Sequence, residues 1–123
     1  MLVVTDLSKS PWPGRRAVVT IGAYDGVHRG HQSVIAAVRS KAASEGALSV
    51  VVTFDKHPAS VVRPESAPLL LTDLDQKIEL LRATGIDAVV VVPFDARQAA
   101  EEPRDFVKRV LVDCLAVSHI AVG

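Results

Sequence analysis

The stretch "RAVVTIGAYDGVHRGHQSVI", residues 16–35, contains three local patterns that together predict the fold. Residues 16–22 are β-branched and almost continuously apolar, which favours a central parallel strand that is covered on both faces. Glycines follow, and then Val34 and Ile35, with Val38 just beyond the quoted stretch, recur at the spacing of one helix face. The stretch therefore predicts a buried strand, a tight connection and an amphipathic helix.

The same alternation of strand and helix patterns continues along the chain. Three further apolar runs have strand character, at residues 48–54, 86–92 and 119–123. Between them, apolar residues at helical spacing predict two more amphipathic helices: Leu74, Ile78 and Leu81, and Phe106, Val110 and Leu111. The order β-α-β-α-β-α-β implies right-handed crossovers and an α/β fold with an open, doubly wound parallel sheet.

Local signals mark the ends of the predicted helices. Gly46 and Gly85 follow the first and second helices, where a residue in the left-handed conformation commonly ends a helix. Thr72 and Asp75 have the spacing of a capping box that opens the second helix. Pro103 is expected in the first turn of the third helix, where its missing N–H group costs nothing.

The overall composition predicts one domain over residues 1–123 and limits the classes of function. Basic and acidic side chains balance at 14 each, so no basic surface for a nucleic acid is expected. The longest apolar runs are far shorter than the roughly 20 residues that cross a bilayer, and the N-terminus lacks the features of a signal peptide. Cys114 is the only cysteine, which favours a reducing compartment. We therefore expect a cytoplasmic protein whose partners are small molecules, with no nucleic acid and no membrane.

The candidate functional residues directly follow the predicted strands. Ligands of open α/β sheets bind beyond the carboxyl ends of the strands, and three of the four histidines lie at that edge: His28, His31 and His57. His28 and His31 are three positions apart at the start of the first helix, so their side chains point the same way, about 5–6 Å apart. The glycines allow close backbone approach, and the helix N-terminus offers unpaired N–H groups to an anion. This combination predicts a cradle for a polyphosphate.

These residues also have other interpretations. A lone histidine near a helix start is usually a solvated or capping residue, but the pair, together with Asp25 and the glycines, favours function. Asp25, His28 and His31 are also spaced as zinc ligands can be, although no cysteine is near to complete such a site. His57 can simply cap a loop. His119 is expected to be a structural strand residue at the opposite edge of the sheet. Cys114 is expected to be a small buried hydrophobe, and Trp12 a packing anchor.

Several motifs resemble those of one known enzyme family. "TIGAYDGVHRGHQSVI" (20–35) resembles the first motif of the bacterial bifunctional riboflavin kinase/FAD synthetases, which belong to the nucleotidyltransferases with a His-x-Gly-His signature. "VVTFDKHPASVV" (51–62) resembles their second-strand motif, and the similarity covers nearly the whole chain from Ala17 on. His-x-Gly-His alone indicates only nucleotidyl transfer. The Asp-Gly-Val before it and the Thr-Phe-Asp-x-His-Pro run together indicate the flavin branch.

The resemblance implies a Rossmann-like nucleotidyltransferase fold and an adenylyltransferase that joins FMN to the AMP part of ATP, giving FAD and pyrophosphate. Mg²⁺ is expected to accompany ATP, and no direct protein ligand to a metal is predicted. His28 and His31 are the implied catalytic residues. The implied ATP-binding residues are Gly22, Tyr24, Asp25, Gly26, His28, Gly30 and His31. The residues implied to lie beside the flavin and the reacting phosphates are Phe54, Asp55 and His57.

The sequence departs from the family pattern at three places. Tyr24 stands where the family usually has Phe, and Lys56 stands where Pro is common. The family continues beyond the position of Gly123, so we expect a domain that is incomplete at its C-terminus, makes little FAD by itself, and belongs to a longer parent with riboflavin kinase activity. Two alternatives remain: another His-x-Gly-His nucleotidyltransferase with a different phosphorylated acceptor, and a nucleotide-binding fragment without catalysis.

Overall fold

The sheet of the protein has five parallel strands in the computed structural model, which describes residues 1–27, 29–55, 73–93 and 100–122. The strands are β1 (Leu2–Val4), β2 (Ala17–Ile21), β3 (Leu48–Phe54), β4 (Ala88–Val92) and β5 (Val117–Val122). Their order across the sheet is β1-β4-β3-β2-β5, and every neighbouring pair is parallel.

The helices of the described residues lie between the strands along the chain. A short 3₁₀ turn at Asp25–Val27 leads into α1 (Arg29–Glu45), and α2 comprises Leu74–Arg82. α3 (Pro103–Phe106) continues directly as a π-helical segment, Val107–Cys114. None of the helices in these parts of the chain is both long and apolar enough to cross a membrane.

Two apolar cores lie on opposite faces of the sheet. On one face, Ile35 and Val38 of α1 and Leu81 of α2 pack against strand residues such as Val51 and Val89. On the other face, the π-helical segment and Trp12 pack against the alternate strand residues: Val19, Val50, Val52, Val90 and Val92. Because successive side chains of a strand point to opposite faces, strands covered on both sides are apolar throughout. The doubly wound α/β fold predicted from the sequence is confirmed.

The strand order places a topological switch point beside β2. From β2 the chain passes to β3 and then β4 on one side, and afterwards crosses over to β5 on the other side of β2. Crevices at such points, outside the carboxyl ends of the strands, are the ligand sites of open α/β sheets. The glycine-rich connection between β2 and α1 therefore starts at this crevice.

The starts of β4 and β5 each differ by two residues from the predictions, β2 is one residue shorter at each end than the predicted residues 16–22, and one strand was not predicted. β4 starts at Ala88 rather than at residue 86, since the Asp87 carboxylate accepts hydrogen bonds from the Ser49 N–H and Oγ, at 2.9 and 3.0 Å. β5 starts at Val117 rather than at residue 119, directly after Ala116 in the left-handed region at φ 52°. β1 has only 3 residues, too few for periodicity to show.

The helix ends agree with the sequence in all but one case. Gly46 and Gly85 have φ of 65° and 79°, as expected, and Pro103 begins α3. The predicted capping box of α2 is wrong by one residue: the Asp73 carboxylate accepts from the Gln76 N–H at 2.8 Å, and the Gln76 side chain accepts from the Asp73 N–H at 3.1 Å. Asp75 instead lies in the first turn, and Thr72 lies outside the described residues.

The N-terminal segment is anchored to the core as predicted. Trp12 is 6% exposed, and its indole Nε1 donates to the Leu115 carbonyl at 2.8 Å. Cys114 is buried beside it, with Sγ 3.5 Å from the Lys9 carbonyl oxygen. Burial raises the pKa of the Cys114 thiol, so this residue is the small buried hydrophobe that the sequence predicted.

Candidate functional site

The connection after β2, residues 22–27, has an unusual backbone. Gly26 has φ 75°, which glycine adopts freely, but Tyr24 and Val27 also have positive φ, at 52° and 44°. The left-handed region costs a non-glycine residue about 1–2 kcal/mol, and a β-branched residue is an outlier there. Both side chains are buried in the core under α1 and α2, at 3% and 5% exposure. Their burial offsets the strain and fixes the path of the connection.

The ring of Tyr24 fills the space beside Gly22. A Cβ atom on Gly22 would lie 3.0 Å from Cε2 of that ring, so a side chain there would require the ring of Tyr24 to shift. The Tyr24 hydroxyl forms a hydrogen bond with Oγ1 of Thr20, a buried residue of β2. Burial raises the pKa of the Tyr24 phenol, and the bond with Thr20 acts in the opposite direction. The described contacts of Gly22 are with the ring of Tyr24, and its place beside a ligand stays a prediction.

His31 lies in the first turn of α1 and packs against the same tyrosine. The ring centroids of His31 and Tyr24 are 4.6 Å apart, with the planes tilted by 48°. Gln32 links this turn of α1 to the 3₁₀ turn before it, since its Nε2 donates to the Val27 carbonyl at 3.2 Å. The imidazole of His31 is therefore held at the point where α1 meets the glycine-rich connection.

The end of β3 lies beside this connection. The Gly22 N–H donates to the Val52 carbonyl at 3.0 Å, and Oγ1 of Thr53 donates to the Ala23 carbonyl at 3.0 Å. Phe54 ends the strand, but its ring points to the face covered by α3, 6.5 Å from the ring of Phe106. Tyr24 and Phe54 are thus at the same edge of the sheet and on opposite faces.

Sequence reasoning missed one residue of this edge, Lys77 of α2. Its side chain is 8% exposed, and Nζ donates to the Ala23 carbonyl at 2.8 Å, to Oγ1 of Thr53 at 3.1 Å and to the Phe54 carbonyl at 3.0 Å. The signal was present in the sequence: Lys77 is three positions after Leu74 and four before Leu81, so it shares the buried face of α2. A lysine within an apolar helix stripe indicates a buried partner.

The structure brings most of the predicted residues to one edge of the sheet. The residues in or next to the β2–α1 connection are Gly22, Tyr24, Gly26, Gly30 and His31, with the backbone of Asp25 in the 3₁₀ turn. Phe54 and Asp55 end the neighbouring strand, where the Asp55 N–H donates to the Val92 carbonyl at 3.2 Å. His28 and His57 lie outside the described residues.

The fourth histidine lies elsewhere, in the setting expected of a structural residue. His119 is a residue of β5 that pairs in register with Val18, near the start of β2. Its Nδ1 is 3.2 Å from a carboxylate oxygen of Glu45, the last residue of α1. This contact is at the edge of the sheet opposite to the candidate site.

No three His, Cys, Asp or Glu side chains converge on a metal position within the residues that the structure describes. The zinc hypothesis needs His28 and the carboxylate of Asp25, and neither group is among those described. It is therefore a question for direct metal analysis.

A solved structure supports the class of fold. The crystal structure of a macrolide-efflux protein from Streptococcus pneumoniae superposes with a TM-score of 0.81, covering 99% of this chain and 41% of that one. The two sequences are 21% identical, so the likeness concerns the fold alone. Together with the strand order and the switch point, it defines the class as α/β proteins with a doubly wound, Rossmann-like parallel sheet.

The sequence defines the family within this class. Residues 11–123 match the FAD synthetase family, and the chain belongs to it. It is 40% identical over 109 residues to a bifunctional riboflavin kinase/FMN adenylyltransferase of Pseudomonas fluorescens, covering 89% of this chain and 35% of the relative. It is 35% identical over 120 residues to the protein of that name in Escherichia coli K12, covering 98% of this chain and 38% of the relative. The chain thus spans little more than a third of the length of these relatives.

Proposed function

We propose that this chain is the nucleotide-binding part of an FMN adenylyltransferase, which transfers AMP from ATP to FMN and releases pyrophosphate. Membership of the FAD synthetase family carries the proposal. The described geometry supports it, because the strained connection from β2 into α1 lies at the switch point of the sheet. The relatives' names include riboflavin kinase, an activity that we do not propose for these residues.

In this proposal the β2–α1 connection holds the phosphates of ATP. The first turn of a helix such as α1 presents backbone N–H groups that have no acceptor within the helix, together with the positive end of the helix dipole. Three residues of the connection that precedes this helix, Tyr24, Gly26 and Val27, have left-handed backbones, and turns of this kind can direct successive N–H groups to one anion. The proposed ATP-binding residues are those of the sequence prediction: Gly22, Tyr24, Asp25, Gly26, His28, Gly30 and His31.

His28 and His31 are the proposed catalytic residues, and the proposed role of both is to stabilise negative charge on the phosphates. The attacking group is a phosphate oxygen of FMN, which is anionic near neutral pH, so no general base has to remove a proton. A bond forms from this oxygen to the α-phosphorus of ATP while the bond to the bridging oxygen of pyrophosphate breaks. Imidazole donors beside the α- and β-phosphates stabilise the charge that grows in the transition state. Tyr24 supports this role, since it fixes the ring of His31.

The flavin side of the proposed site is the end of β3. Phe54, Asp55 and His57 are the residues proposed to lie beside FMN and the reacting phosphates. The hydrogen bonds that join β3 to Gly22 and Ala23 support this, because they bring the ends of both strands together.

Mg²⁺ is proposed to accompany ATP rather than to occupy a protein cage. The described polar side chains in and next to the connection include the phenol of Tyr24 and the imidazole of His31, whereas Mg²⁺ prefers carboxylate, phosphate and water oxygens. The ion therefore fits this place as a partner of the phosphates, where it neutralises charge and makes pyrophosphate a better leaving group.

The test is to incubate FMN and MgATP with the complete natural protein that contains these residues, and to measure FAD by chromatography together with pyrophosphate release. Formation of both products supports the proposal. Pyrophosphate release with another phosphorylated acceptor, but not with FMN, favours a different nucleotidyltransferase. ATP binding without any pyrophosphate release favours the non-catalytic alternative.

A further inference from the structure

We infer that Lys77 is a positioning residue, which fixes the connection between β2 and α1 against the end of β3. The ammonium group of Lys77 reaches the connection and the end of β3 from α2, a helix that is separate from both strands. The catalytic consequence rests on the proposed function, whereas the structural role does not.

The Ala23 carbonyl is the centre of this arrangement. It accepts from Nζ of Lys77 at 2.8 Å and from Oγ1 of Thr53 at 3.0 Å, and these two donors are themselves 3.1 Å apart. Nζ also donates to the Phe54 carbonyl at 3.0 Å, so one buried cation joins the ends of two strands. Hydrogen bonds from an ionised donor are about twice as strong as those between neutral groups.

Fixing the Ala23 carbonyl also fixes the conformation of Tyr24. The Ala23 carbonyl and the Tyr24 N–H belong to the same planar peptide unit, so the direction of this carbonyl sets the plane from which the Tyr24 backbone departs. The backbone of Tyr24 then has φ 52°, a left-handed value that a tyrosine does not adopt without constraint. Its ring then contacts His31. A chain of direct contacts therefore leads from Lys77 through Ala23 and Tyr24 to His31.

Packing alone does not require a lysine here. The other residues on this face of α2 include Leu74, Ile78 and Leu81, and a methionine of similar length would extend their apolar stripe. Lys77→Met keeps this volume but removes the donor of the Ala23 and Phe54 carbonyls, and a buried acceptor left without its donor destabilises a protein. The Lys77→Met variant is therefore compared with a core variant that loses stability at a distance from the connection.

The first experiment titrates Tyr24 in the complete natural protein, where its signal is the difference between each variant and the same variant that also carries Tyr24→Phe. In Lys77→Met the connection is released and the ring becomes more exposed, so the pKa of Tyr24, read from tyrosinate absorbance, should fall towards its ordinary value. Lys41→Met is the matched control, because Lys41 is 51% exposed on α1. Leu111→Ala controls for general loss of stability from the opposite face. An unchanged Tyr24 titration in Lys77→Met overturns the inference.

A second pair of variants keeps the inference testable if Lys77→Met does not fold. Thr53→Val removes the other donor to the Ala23 carbonyl, whereas Thr53→Ser retains it. The pKa of Tyr24 should fall in Thr53→Val and stay near the wild-type value in Thr53→Ser. Identical titrations in the two variants would contradict the proposed role of the Ala23 carbonyl.

The catalytic consequence is measured in the complete natural protein with FMN and MgATP. Because misplacing a reacting group by about 1 Å costs about 10²-fold in rate, kcat should fall by about that factor in Lys77→Met, with a much smaller change in KM for ATP. Lys41→Met should match the wild type, and an unchanged kcat in Lys77→Met refutes the catalytic consequence. If the wild type makes no FAD, the proposed function fails, while the titration of Tyr24 still decides the role of Lys77.

Discussion

The imidazole of His31 rests against the phenol ring of Tyr24, with ring centroids 4.6 Å apart. Tyr24 is itself fixed at both ends, by the bond of its hydroxyl to Thr20 and by a backbone that burial holds in the left-handed region. A rigid aromatic surface therefore sets the direction of the histidine. Groups that act on a transition state need such support, because small errors in their position have large kinetic costs.

This contact predicts different effects for two substitutions of Tyr24. Tyr24→Phe keeps the ring against His31 and should retain most of the FMN adenylyltransferase activity of the complete protein. Tyr24→Ala removes the ring and should lower kcat by about tenfold or more. The measurement is kcat for FAD formation in both variants, and equal activity of the two would show that the ring does not position His31.

Loss of either candidate catalytic histidine should affect turnover more than ATP binding. The charge that His28 and His31 are proposed to stabilise grows in the transition state, so His28→Ala and His31→Ala should lower kcat by about 10²–10³-fold with a smaller change in ATP affinity. His119→Ala serves as the control, since His119 lies at the opposite edge of the sheet. Normal turnover in both variants would exclude the phosphate-cradle proposal.

The zinc hypothesis leads to a separate measurement. Elemental analysis of the purified protein should detect no stoichiometric zinc, because we propose that the histidines face phosphate oxygens and not a metal. Tightly bound zinc that disappears in His28→Ala and His31→Ala would instead favour the metal site formed with Asp25.

The close packing of Tyr24 on Gly22 predicts a strong coupling between the two positions. Gly22→Ala places a methyl group 3.0 Å from the ring, and such overpacking typically costs about 1–3 kcal/mol of unfolding free energy. In a Tyr24→Ala background the same substitution should cost much less, because the space is empty. Denaturant unfolding of the four proteins in this double-mutant cycle measures the difference. Additive effects would mean that the ring is not what excludes a side chain at position 22.

The raised pKa of Tyr24 predicts that the protein loses stability in alkali. Below the ordinary tyrosine pKa of 10.0, Tyr24 is protonated in both the folded and unfolded states and contributes no pH dependence. Above it, the unfolded chain releases this proton while the folded protein retains it, so the unfolding free energy falls as pH rises towards the folded-state pKa. Tyr24→Phe should reduce this slope in denaturant titrations between neutral and alkaline pH. An equal slope in both proteins would contradict the assignment.

The strand and helix pattern was predictable because its signals are local. β3 lies at the predicted residues 48–54, since a strand that is covered on both faces is apolar along its whole length. β1 could not be found in this way, because its 3 residues owe their conformation to pairing with β4. The capping box of α2 was placed one residue early, since Thr72 and Asp73 both have a suitable partner three positions on.

The candidate site was predictable to the extent that it consists of one continuous segment. The glycines and histidines after β2 are neighbours in sequence, whereas the contacts of Lys77 join three separate elements. The positive φ of Tyr24 and Val27 was also beyond local reasoning, because neither residue favours that region. Burial under α1 and α2 imposes it, and burial depends on the whole fold.

The position of β5 has a consequence for the synthesis of the protein. β5 pairs along the full length of β2, and Oγ of Ser118 contacts the Ala17 carbonyl across 101 positions of sequence. While a nascent chain leaves the ribosome, β2 therefore exposes one row of backbone N–H and C=O groups until residues 117–122 have emerged. Unpaired strand edges attract other chains, and long-range parallel pairing is intrinsically slow. The strand that leads into the candidate site thus completes its pairing late.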